Sequence, residues 1–190
     1  DGKDIRGFGL LLGNGNGTFQ TPIEVGDANS YEWGLDVADV NSDGLTDVIV
    51  GNSNLSQLQI YKNTGTYPYF SAFDVVPLWT STRQADLVAR DIDNDGDRDI
   101  VVATDGATIF HAYLNDGSGN FSYASSAGNG GGHGGKSMDV YDDNADGNMD
   151  VIIADQVLHM VDIFYGDGIG GFSFGRSFAV GSGPVDVKVA

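Results

Sequence analysis

The chain has 190 residues and carries 27 acidic against 9 basic side chains, a formal charge of −18. That surplus argues against nucleic-acid phosphates or anionic lipid as partners and favours cations. A hydrophobic fraction of 41% is enough for a core, while the absence of cysteine excludes disulfides. No apolar run reaches the length of a membrane span, so no membrane insertion is expected.

No stretch reads as a signal peptide, and the first residue is Asp rather than Met, so a processed product or a piece of something longer is expected. The 29 glycines and 4 prolines predict many tight turns and almost no helix. The chain opens on DGKDI (Asp1 to Ile5), a shortened acidic loop, and then on LGNGNGTF, ending at Phe19. Apolar residues, then Gly/Asn-rich positions, then an aromatic describe two strands joined by a hairpin turn.

A strand is predicted at Leu35–Ala38, followed by the loop DVNSDGLTD from Asp39 and the β-branched run Val48-Ile49-Val50. A third strand at Gln57–Tyr61 leads into YKNTGTYPYF, a degenerate hairpin ending at Phe70. The same order then repeats. Strand Leu87–Arg90 precedes DIDNDGDRD from Asp91, then Ile100-Val101-Val102, a strand at Thr108–Leu114, and LNDGSGNF ending at Phe121. Strand Met138–Tyr141 precedes DDNADGNMD from Asp142, then Val151-Ile152-Ile153, Met160–Tyr165, and YGDGIGGF ending at Phe172. Val185–Val189 reads as the first strand of a further copy.

The loops recur after 52 and 51 residues (Asp39, Asp91, Asp142), a period that marks propellers or stacked arrays. The predicted fold is all-β, a β-propeller of four-stranded antiparallel blades. Repeat units fall at approximately 1–34, 35–85, 86–137 and 138–184, with the next starting at 185–190. About four units stand alone or within a larger ring or assembly. A linear stack of β modules is the alternative.

Each loop reads D-x-[DN]-x-D-G-x-x-D. Carboxylates this close repel one another, and a hard divalent cation with oxygen ligands relieves the repulsion. Side chains at positions 1, 3, 5 and 9 and a carbonyl at 7 can surround one ion, with glycine at 6 allowing the turn. The sets are Asp39, Asn41, Asp43, Asp47 and the Leu45 carbonyl; Asp91, Asp93, Asp95, Asp99 and the Asp97 carbonyl; and Asp142, Asn144, Asp146, Asp150 and the Asn148 carbonyl. Calcium, at about three sites, suits flexible multi-oxygen coordination better than magnesium. Position 12 holds Val50, Val102 and Ile153, so these are not EF-hands. A lone loop could be a mere Asx-rich turn; three in register argue for metal.

The acidic loop with its β-branched strand, followed by G-[ND]-G-x-G-x-F, resembles the FG-GAP/VCBS repeat of integrin-α-like β-propellers. The resemblance implies calcium between a blade's first two strands and an extracellular or cell-surface role in adhesion, glycan binding or scaffolding. Up-down topology puts acidic loops and Gly-rich hairpins on one face. Tyr31, Trp33, Trp79 and His133 fall in connections on the other, a lectin-like surface for a glycan or protein. Trp33 and Trp79 could instead pack between blades.

The leading reading is a non-catalytic, calcium-stabilised binding or adhesion module. The alternatives are a structural unit of an extracellular assembly and, third, a propeller polysaccharide-degrading enzyme. Sequons at Asn16, Asn54 and Asn120 imply glycosylation only in a source that glycosylates.

Overall fold

Each acidic loop hands the chain to a buried strand: β4 (Asp47–Asn52) and β8 (Asp99–Thr104) along their whole length, and β12 (Asp150–Asp155) at every residue but the half-buried Ile152. Short β-branched runs of this kind suit strands covered on both faces. They are the second strands of three antiparallel, four-stranded sheets. The computed structural model describes residues 7–26, 32–52, 55–78, 84–104, 110–128 and 135–189.

The first blade runs β3 (Glu32–Ala38), β4, β5 (Gln57–Asn63), β6 (Phe70–Pro77) in spatial order. The second runs β7 (Gln84–Arg90), β8, β9 (Phe110–Asn115), β10 (Phe121–Ala127). The third runs β11 (Gly135–Tyr141), β12, β13 (Met160–Gly166), β14 (Phe172–Ala179). Before them, β1 (Phe8–Leu10) and β2 (Ile23–Val25) form a two-stranded hairpin. Among the described residues there is no helix.

The outer strands start at Phe70, Phe121 and Phe172, the aromatics that end the hairpin motifs. The inner strands begin three residues before their predicted starts. Each carries a register shift there, between Glu32 and Leu35, Gln84 and Asp86, and Gly135 and Met138. A bulge breaks the alternation that reveals a strand in sequence. Val185–Val189 forms no strand, yet it lies along β11: Lys188 Nζ donates to the Met138 carbonyl at 3.1 Å, and Ser137 Oγ to Asp186 Oδ1 at 2.8 Å.

Alternation sends successive side chains of a strand to opposite neighbours. Ile100 and Val102 of β8 pack with Ile49, Leu58 and Ile60 of the first blade. Val101 and Ala103 pack with Val151, Ile153 and Phe164 of the third. The β1–β2 hairpin covers Val48, Val50 and Tyr61 of the first blade with Phe8, Leu10, Ile23 and Val25.

A polar latch repeats beside this packing. Asp36 Oδ2 accepts from the Ala89 N–H (2.8 Å), Asp86 Oδ2 from Met138 (3.0 Å) and Asp139 Oδ2 from Val189 (3.1 Å). β3 thus holds the backbone of β7, β7 that of β11, and β11 that of the segment at 185–189. Asp86→Ala is expected to lower unfolding free energy by about 1–3 kcal/mol, because it strands the Met138 N–H against a buried side chain. A urea titration reads this as a lower midpoint with an unchanged slope.

Candidate metal centre

The loops are built by their own side chains. Position 1 reaches across the turn: Asp39 Oδ2 accepts from the Gly44 N–H (2.8 Å), Asp91 Oδ2 from Gly96 (3.0 Å) and Asp142 Oδ2 from Gly147 (2.9 Å). Position 5 folds forward, with Asp43, Asp95 and Asp146 Oδ1 accepting from the N–H of Leu45, Asp97 and Asn148 at 2.8–2.9 Å. Position 6 has positive φ at Gly44, Gly96 and Gly147, as the turn requires. Position 4 does too, at Ser42, Asn94 and Ala145, a demand that no sequence signal disclosed.

Position 9 ties the loop to the sheet. Asp47, Asp99 and Asp150 are fully buried, and each clasps two backbone N–H groups. Asp99 accepts from Ile92 (2.8 Å) and Asn115 (2.9 Å); Asp47 from Val40 (3.1 Å) and Asn63 (2.7 Å); Asp150 from Asp143 and Gly166 (both 2.9 Å). One carboxylate therefore ties the loop's second residue to the end of the third strand. Burial pushes the Asp99 carboxyl up to about 6, with the charges of Asp93 and Asp95 adding, and raises Asp47 and Asp150 in the same direction.

Among the described residues, the second loop is the candidate cation site that the geometry favours. One carboxylate oxygen from each of Asp91, Asp93 and Asp99 lies within 4.8 Å of the others. Asp91 Oδ1 is buried there with no hydrogen-bond partner, an orphaned acceptor that a cation would satisfy. Loops one and three carry an amide at position 3. Asn41 Nδ2 donates to Asp43 Oδ2 (3.0 Å), and Asn144 Nδ2 to Asp146 Oδ2 (2.9 Å), so part of the repulsion is relieved internally. The donor set is all oxygen, the chemistry that calcium takes.

Loops also touch along the row. Ser42 Oγ donates to Asp97 Oδ1 (3.4 Å), and Asn94 Nδ2 to Asn148 Oδ1 (3.2 Å), position 4 of one loop to position 7 of the next. The Gly-rich hairpins share this face. A Cβ on Gly117 would meet the Asp97 carboxylate, and one on Gly168 the Asn148 amide.

The third loop departs at position 2. Val40 and Ile92 are buried in the packing toward the following blade, whereas Asp143 takes that place. It accepts from the Tyr141 hydroxyl and pairs with Arg176 at 2.5 Å. Burial, together with the hydrogen bond to Asp143, pushes Tyr141 up to about 12.

Of the aromatic and histidine candidates, Trp33 stands near the start of β3 and is 52% exposed, so it does not pack as a plug between blades. Tyr31, Trp79 and His133 lie outside the described residues, as do Asn54 and the Asp1–Asp4 copy. On the face away from the loops, Asp155 Oδ1 accepts from the N–H of Val157 and Leu158 and closes the β12–β13 turn.

The model of the FG-GAP-like repeat matches residues 39–102 and, overlapping, 91–153, more than half of the chain. No curated protein matches it. Among solved structures, the chain is similar to BBS1N in a complex with ARL6DN soaked with lead (TM-score 0.57, 14% identity, 83% of this chain and 46% of that one). The mercury-soaked complex gives a TM-score of 0.53 at 15% identity over 82% and 46%. The chain therefore spans less than half the length of these neighbours, and the likeness concerns the fold.

Proposed function

Because the chain belongs to the FG-GAP-like repeat family, we propose that it is a non-catalytic, calcium-stabilised binding module that works outside the cell or at its surface. The observation that carries the calcium reading is the orphaned Asp91 Oδ1 within the Asp91–Asp93–Asp99 cluster. Calcium would be held by the side chains at positions 1, 3, 5 and 9, with Leu45, Asp97 and Asn148 offering carbonyls. Its chemistry there is charge neutralisation. An open, weak-to-moderate oxygen site suits the high calcium of extracellular fluid.

The ligand is a glycan or a protein on the face opposite the loops, where Trp33 offers an exposed ring. Protein binding draws support from the neighbour BBS1N, solved in complex with ARL6DN. A structural unit of a larger assembly is the second reading, and one observation favours it. Leu35 and Val37 are 48% and 51% exposed on β3, while their counterparts Leu87 and Ala89 on β7 are buried under the neighbouring blade.

A glycan array and a surface-protein array, both probed with calcium present, separate the two. Selective capture, weakened by Trp33→Ala, is expected. Capture of nothing on either array transfers the assignment to the structural reading.

A further inference from the structure

Between the β1–β2 hairpin and the first blade lies a cleft of about 340 Å³. Buried Tyr61 and Phe70 and half-buried Phe73 make its floor; Tyr67, 77% exposed, Pro68 and Glu24 stand at its rim. The rings are angled against one another, Tyr61 to Phe73 at 5.2 Å and 49°, and Tyr61 to Phe70 at 6.5 Å and 86°. Tyr61 and Phe70 meet edge to face, and Tyr67 and Phe73 are the more exposed rings of the cleft.

We propose that this cleft binds a basic side chain, arginine or lysine, of a partner protein. Ring faces attract a cation, and a carboxylate at the rim complements it. Among the described residues, no basic residue lines the cleft. Lys62, next to Tyr61 in sequence, is engaged elsewhere, with Asp74 at 2.9 Å and the Ser118 carbonyl at 3.4 Å. The formal charge of −18 draws a basic partner to the whole surface, and the cleft gives that attraction a place. The chain uses the same contact internally, with the Arg176 guanidinium 5.1 Å from the Phe178 ring centroid on an outer strand.

The site deepens the binding-module reading and rests on it only in being a binding site. The test titrates the amidated, acetylated peptide Gly-Gly-Arg-Gly-Gly into ¹⁵N-labelled protein with calcium present. A matched peptide carries citrulline, which has the shape of arginine without its charge. Saturable shifts are expected at the amides of Glu24, Val25, Tyr67, Phe70 and Phe73 for arginine and not for citrulline. Tyr67→Ala, at an exposed position that does not threaten the fold, should weaken binding about 2–5-fold, and Glu24→Gln likewise. Equal shifts from both peptides overturn the proposal. So do shifts confined to the acidic loops, or binding indifferent to Tyr67. Cleft shifts alongside blank arrays sink the opposite-face reading alone, and captured ligands without cleft shifts sink this site alone.

Discussion

Replacing Asp99 with alanine should destabilise the protein by about 2–6 kcal/mol even when all calcium has been removed. The side chain is buried, and its two oxygens accept the N–H groups of Ile92 and Asn115. Alanine leaves both donors in the interior without partners, at about 1–3 kcal/mol for each. The control is Asp93→Asn, at a position whose carboxylate faces the cation cluster and clasps no strand. It should weaken calcium binding while leaving the metal-free protein close to wild type. Urea unfolding in chelator reads the difference directly. If the two variants are equally stable without metal, Asp99 is a ligand only, and the clasp described above contributes nothing.

Calcium removal should produce the second large effect, and it should depend on pH. A cation that binds only the folded chain stabilises it by about 2.7 kcal/mol per site at a hundred times its dissociation constant. In the metal-free protein the folded Asp99 carboxyl sits near 6, above its ordinary value of 3.8. The folded state therefore binds more protons than the unfolded one between these values, and stability falls as pH rises through that window. Asp47 and Asp150 push in the same direction. Calcium holds the carboxylates ionised, so the gap in melting temperature between loaded and metal-free protein should widen from pH 4 to pH 7. A gap that stays constant, or closes as pH rises, refutes the cation site. The second loop, with a carboxylate at position 3 instead of an amide, should fill first.

The repeat was plain in the sequence because the acidic loop and the following β-branched strand carry a signal every 51 or 52 residues. The glycine at position 6 and the aromatic at the start of each outer strand were equally readable, since each answers a local demand of the backbone. What escaped notice depends on strand register. Position 9 looked like a ligand, but its N–H partners at Asn63, Asn115 and Gly166 lie 16 residues onward and meet it only in the folded sheet. The Asp36, Asp86 and Asp139 latch was hidden by its spacing. Two of these residues stand three before their loop, while Asp86 stands five before, beside the register shift of β7. Asp143 was visible as a charge where Val40 and Ile92 are apolar, and a comparison of the loops position by position would have found it.

The two shared apolar clusters and the two aspartate latches between complete blades give those blades a nearest-neighbour chain of couplings, with unequal shares. Among the described residues, only the blade of β7–β10 has a complete blade on each side. Opening it breaks an apolar interface and an aspartate latch on both sides. Units coupled on two sides open later than units coupled on one. The loop with the most carboxylates lies in that same blade. A cation bound there would tighten the unit on which both neighbours lean, so that one ion's affinity is felt across three sheets.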